Sequence, residues 1–146
     1  MVMHTRTSWA AKLRPNFDPT IVADRRGRML IPTPMLVATT LRRVPAGRLI
    51  TPAQLRARLA RKAGADLACP MTTGIFLSIL AGATEEAIAL GRRPVAPYWR
   101  VVDESGGLSP KFPPGQARQA AHLRAEGHGV TRAWRVKAFE NHLVKR

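Results

Sequence analysis

Cys69 is the only thiol in the 146-residue chain, and it stands just ahead of a helix expected to start near Thr72. The thiolate is the reactive form of cysteine, and a helix N-terminus favours negative charge, so this placement suits a nucleophile. No histidine lies near Cys69 in sequence to take its proton, so the residue also fits a small side chain packed in a turn. The histidines His4, His122, His128 and His142 lack metal-ligand spacing, and His122 and His128 read as solvated or helix-end residues. A lone cysteine excludes an internal disulfide and a cysteine-based zinc site, and no cofactor is expected. Tyr98 and Trp99 stand side by side, and aromatic faces stack on any base. Trp99 also suits core filling, and Tyr98 suits either a pocket wall or the interior. Thr72 and Thr73 can cap a helix or donate to phosphate.

Charge points to the partner. The chain has 24 Lys+Arg against 9 Asp+Glu, a net +15. Ten basic residues lie between Arg25 and Lys62, with no acid among them; most acids fall later, from Asp66 to Glu140. Such polarised charge predicts a polyanion, most often nucleic acid. Hydrophobic residues make up 45% of the chain, enough for one buried core and too many for a disordered basic tail. No apolar run approaches the roughly 20 residues of a membrane span. Met1 to Trp9 lack the apolar core of a signal peptide. The expected setting is cytoplasmic, on the nucleoid, with no membrane contact.

The elements that must position these residues are mostly helical. Residues 1–31 read as an N-terminal arm, with a short helix near Ser8–Leu13, turns at Asn16–Pro19 and Arg25–Arg28, and Trp9 and Phe17 as anchors. Residues 32–146 read as one domain. Thr33-Pro34 starts a first helix with Leu36, Val37, Thr40, Leu41 and Val44 on one face. Thr51-Pro52-Ala53-Gln54 fits a capping box, Leu55, Leu59 and Ala63 form a buried stripe, and Gly64 ends the helix. A third helix, capped at Thr72 or Thr73, buries Ile75, Phe76, Ile79, Leu80 and Ala83 and stops at Gly91. Two helices joined by a short turn suggest a helix-turn-helix. Tyr98–Val102 is β-prone. Gln116–Glu126 reads as a helix with Ala117, Ala120, Ala121 and Leu123 inward, Thr131–Val136 as a short strand, and Lys137–Val144 as a last helical turn or two.

Two stretches together resemble one family. Val44-Pro45-Ala46-Gly47-Arg48-Leu49-Ile50-Thr51 is similar to the lead-in to the helix-turn-helix of methylated-DNA–protein-cysteine methyltransferases, the O6-alkylguanine-DNA alkyltransferases. Pro97-Tyr98-Trp99-Arg100-Val101-Val102, then Gly106-Gly107-Leu108 and Leu123-Arg124-Ala125-Glu126-Gly127, resembles their active-site segment. The resemblance runs over residues 33–130. It implies an α+β, mainly helical, winged helix-turn-helix domain.

The departures define the expected function. Tyr98 stands where the family keeps its nucleophilic cysteine, and Trp99 where it keeps the activating histidine. A phenol with pKa near 10 and no adjacent base is a poor nucleophile. Glu126 matches the family's glutamate. Pro52 replaces the tyrosine that helps rotate the damaged nucleotide, and Gly74 the arginine that fills the vacated stack. Phe112 keeps the aromatic of the pocket loop. The nearest branch, the alkyltransferase-like proteins, lacks the cysteine and binds alkylated DNA without repairing it. The resemblance therefore implies a non-catalytic protein that binds double-stranded DNA, with a role in sensing alkylated bases and a repair protein as further partner. Arg48, Thr51, Arg56, Thr72, Thr73, Arg92, Arg93 and Arg100 are the expected DNA contacts. Pro52, Gly74, Tyr98, Trp99 and Phe112 are the expected pocket. Two other readings stand beside it: alkyl transfer to a relocated acceptor such as Cys69, and an RNA- or protein-interaction module that kept only the fold.

Overall fold

A computed structural model describes residues 8–13 and 18–145; Phe17 and His4 lie outside them. Helix α1 spans Pro34–Leu41 and α2 spans Pro52–Ala63. Both start as the sequence predicts, because their caps are local. Thr33 Oγ1 accepts from the Leu36 amide at 3.1 Å. Thr51 Oγ1 accepts from the Gln54 amide at 3.2 Å, and Gln54 Oε1 accepts from the Thr51 amide at 3.0 Å. This reciprocal box satisfies two free donors at once. α2 ends on Gly64 at φ 69°, a left-handed position that suits glycine.

Within the expected arm, residues 20–31 form a hairpin. Strand β1 (Thr20–Asp24) pairs antiparallel with β2 (Gly27–Ile31). β2 then pairs parallel with β3 (Leu67–Ala68), in the connection after α2. The three-stranded order is β1-β2-β3, and Leu30 is part of the core. The anticipated turn survives only as Arg25-Arg26. Trp9 does pack on the domain: its ring lies so close to Gly82 that a Cβ there would overlap it.

Helix α3 runs Pro70–Ala89. Its cap is Cys69, not Thr72 or Thr73. Proline at the first helical position moves the start back, and the Cys69 thiol accepts from the Thr72 amide at 3.5 Å. The buried arc holds Thr73, Leu77, Leu80, Ala81 and Thr84. Ile75, expected inward, sits off that arc and is 53% exposed.

The segment expected as a strand at Tyr98–Val102 begins instead as a 3-10 turn, Tyr98–Arg100. A strand would send Tyr98 and Trp99 to opposite faces, whereas here both are buried. Only Val101 makes a bridge, to Ile50. Helix α4 spans Gln116–Ala125 and turns Gln119, Ala120 and Leu123 inward, leaving Ala117 and Ala121 exposed. Gln119 is buried because its amide donates to the carbonyls of Trp99 at 3.2 Å and Val101 at 2.9 Å. Thr131–Val136 forms only isolated bridges, since Trp134 at φ 57° breaks the alternation. Phe139–His142 is a 3-10 turn, and Val144 then bonds back to Leu49 at 2.8 Å. Among the described residues no helix is long and apolar enough to cross a membrane.

Candidate nucleic-acid interface

A cavity of about 480 Å³ opens between α2, α3 and the segment from Val101 to Phe112. That size lies within the range of small-molecule sites. Its lining brings together the predicted Pro52, Gly74 and Phe112 with Arg56 and Thr73. Leu77, Val101 and Val102 supply apolar wall that sequence reasoning had not assigned to the site. Lys111 contributes a cation. Gly74 is exposed, with nothing within 4 Å of where a Cβ would stand. Thr73 is 1% exposed and its hydroxyl has no hydrogen-bond partner.

Tyr98 and Trp99 do not line this cavity. Tyr98 is fully buried and packs edge-on against Phe112 and Trp99, at 5.8 and 5.6 Å between ring centroids. Its hydroxyl donates to Glu85 Oε2 at 2.6 Å. Burial pushes the phenol pKa upward, and the Glu85 carboxylate adds to that shift. Tyr98 is thus a neutral, occupied donor, the reverse of an activated nucleophile.

Glu85 gathers two further partners. Arg118 Nε donates to Oε1 at 2.9 Å, and His122 Nε2 lies 2.7 Å from Oε2. Burial alone would raise this carboxyl, but the bonds from Tyr98, Arg118 and His122 outweigh it and hold the pKa below the ordinary value. The His122 ring stacks on Trp99 at 4.2 Å and 17°. Of the two readings of His122, solvated or helix-end, the second holds: it lies in the last turn of α4, and one turn of the helix sets it and Arg118 over the same carboxylate. His128, read as solvated or helix-end, follows the end of α4 and is buried, with its ring edge-on to His142 at 4.8 Å.

Trp99 and Arg100 meet Glu126. Trp99 Nε1 donates to Oε2 at 3.0 Å, and Arg100 Nη2 donates to the same oxygen at 2.6 Å. Arg100 Nη1 donates to the Val44 carbonyl at 2.6 Å, and the Gly47 amide donates to Glu126 Oε1 at 3.1 Å. Burial raises this carboxyl, and the bonds from Arg100, Trp99 and Gly47 overcome that and lower it. Arg100, expected either on phosphate or as a brace of the loop, is drawn inward to the shielded acid. It braces the loop that leads into α2.

The other predicted contacts separate. Thr51 is 3% exposed and spent on capping. Thr72 Oγ1 donates to Cys69 Sγ at 3.2 Å. Burial raises the Cys69 thiol, yet the bonds from Thr72 and the Arg26 charge outweigh it, leaving a lowered pKa. Cys69 is not part of the cavity lining. Arg48 is exposed, and Arg92 and Arg93 line a different groove beside Leu90 and Val95. Among the described residues no cluster of histidine, cysteine and acids is arranged for a metal ion.

This arrangement is the α+β, helix-turn-helix fold of the alkyltransferase-like proteins. The chain is similar to S. pombe Atl1, solved in complex with damaged DNA containing O6-carboxymethylguanine, with a TM-score of 0.52, 20% identity, and coverage of 77% of this chain and 94% of that one. A second structure, S. pombe ATL in complex with DNA, gives the same TM-score of 0.52, identity of 20% and coverage of 77% and 94%. No protein-family model and no curated protein matches the chain in sequence.

Proposed function

We propose that this protein binds duplex DNA without acting on it chemically, and that the cavity beside Gly74 receives an extruded, alkylated base. The observation that carries the reading is the cavity itself. It is largely apolar, bounded by the two helices of the helix-turn-helix, with Arg56 and Lys111 on its lining to meet phosphate. The fold shared with DNA-bound Atl1 and the net charge of +15 both support it. The non-catalytic part rests on Tyr98. A phenol turned away from the cavity and held by Glu85 offers an incoming alkyl group no nucleophile. Cys69 likewise stands outside the cavity, at the foot of α3.

Fluorescence anisotropy with matched duplexes tests the reading, one carrying O6-methylguanine and one guanine. Tighter binding of the modified duplex, with affinity falling steeply with salt, is the expected result. Intact-mass analysis after the same incubation should show an unchanged protein. A methyl adduct on any residue replaces this reading with an enzyme, and absence of duplex binding at low salt removes it.

A further inference from the structure

The acid-free stretch of the sequence is wrapped around α2. On one side of the helix Ala53, Ala57 and Ala60 line a groove together with Arg56 and Arg61, and Arg26 reaches it from the hairpin turn. The alanines recur at helical spacing, so small side chains leave a depression while the arginines stand beside it. Arg61 also lines a second depression, between α1 and α2, with Arg43, Arg58 and Lys62. Arg56 in turn lines the Gly74 cavity. Shared residues therefore join cavity, groove and depression into one basic track.

Most of that charge is uncompensated. Among the described residues no carboxylate pairs with Arg43, Arg56, Arg58, Arg61 or Lys62. Arg58 donates to the Lys145 carbonyl, at 3.2 Å. Arg26 is held by Asp24 at 2.8 Å. The one acid lining the groove, Asp66, accepts the Arg28 amide at 2.8 Å. Unpaired cations gathered this closely repel one another unless a polyanion lies along them.

We infer that this track is a second DNA contact, which holds duplex phosphates beyond the base cavity whether or not a lesion is present. The inference rests on the reading of the chain as a duplex-binding protein. α2 has 12 residues, so the track is about 18 Å long. At about 3.4 Å per base pair it spans about five base pairs. It makes the footprint longer than the cavity requires and supplies affinity that carries no lesion information.

The test compares R61A/K62A with R132A/K137A. Each removes two exposed cations, and Arg132 and Lys137 lie off the track. Alanine is a good helix former, so the first pair leaves α2 intact. Binding to unmodified and O6-methylguanine duplexes is measured across salt. R61A/K62A should lower the slope of log affinity against log salt by about 1.8, two phosphate contacts at about 0.9 each. R132A/K137A should lower it by less than half as much, and the ratio between the two duplexes should be unchanged in both. Equal slope losses would mean that net charge alone acts, and would overturn the track. A collapse of the lesion ratio in R61A/K62A would overturn it too, by moving those residues into the cavity. If wild type shows salt-dependent duplex binding but no lesion preference, base capture fails while the track stands.

Discussion

The indole of Trp99 donates to Glu126 at 3.0 Å, where the resembled methyltransferases set histidine against glutamate. Glu126 fastens Trp99, Arg100 and Gly47 into one brace behind the lead-in to α2. The side chains of Arg100 and Glu126 are each only 13% exposed, so the pair is well removed from solvent. Glu126→Gln should then cost about 3 kcal/mol, because it leaves a buried guanidinium without its counter-charge. Trp99→Phe removes the hydrogen bond to that carboxylate and part of the ring stacked on His122, and should cost about 2 kcal/mol. Urea denaturation separates the two; a loss under about 1 kcal/mol for Glu126→Gln would show that the brace does not matter.

Tyr98→Phe should destabilise without weakening DNA binding. The substitution deletes the 2.6 Å hydrogen bond to Glu85 and costs about 2 kcal/mol. The ring remains, so the packing against Phe112 and Trp99 is kept. Duplex affinity should stay within about twofold of wild type, since the hydroxyl does not line the cavity. A larger change in affinity would put Tyr98 in contact with the base.

Tyr98→Cys should not create an alkyltransferase. The new thiol would occupy a buried position, Glu126 would still be engaged by the indole, and the nearby His122 is held on the Glu85 carboxylate. Incubation with O6-methylguanine duplex followed by intact-mass analysis should give no adduct. A methyl group on the introduced thiol would show that position alone confers the chemistry.

Gly74→Arg should help on both counts. The site is open, and glycine within a helix costs up to about 1 kcal/mol relative to a good helix former. A small rise in stability is therefore expected. An arginine here can occupy the space left by an extruded base and offset part of the few kcal/mol of lost stacking. The ratio of affinities for modified and unmodified duplex should rise several-fold; no change would detach this part of α3 from base extrusion.

Stability should fall in two stages as pH drops. Burial, helped by the neighbouring His142, holds His128 below its usual 6.5. The unfolded chain then takes up that proton first, so stability is complete above pH 6.5 and declines from there to the folded-state value. Glu85 and Glu126 are held below the usual 4.5, so their contribution is present above that pH and is lost as pH falls through their lower folded values. Urea midpoints measured from neutral pH to acid should show both stages, and His128→Gln should abolish the upper one. A flat profile between pH 7 and about 5 in wild type would contradict the first stage.

Much of the helical frame was legible in the sequence because helix signals act over a few residues. Thr33-Pro34 and Thr51-x-x-Gln54 each satisfy backbone donors within one turn, and Gly64 supplies its own left-handed stop. The order of the Val44–Thr51 and Pro97–Glu126 motifs likewise pointed to the fold that comparison with Atl1 bears out. The charge excess was plain, but its layout along α2 was not.

What the sequence by itself determined was the capped starts of α1 and α2, the basic character and the absence of cysteine at position 98. Only the tertiary structure decided where the side chains around Tyr98 point. Tyr98 turns to Glu85, thirteen positions away, and Trp99 and Arg100 turn to Glu126, more than twenty-five away. Residues 20–31 became a hairpin because β2 found a partner in β3, across α1 and α2. Each of these outcomes depends on a buried hydrogen-bonding group finding its complement at long range, and no local pattern records that complement.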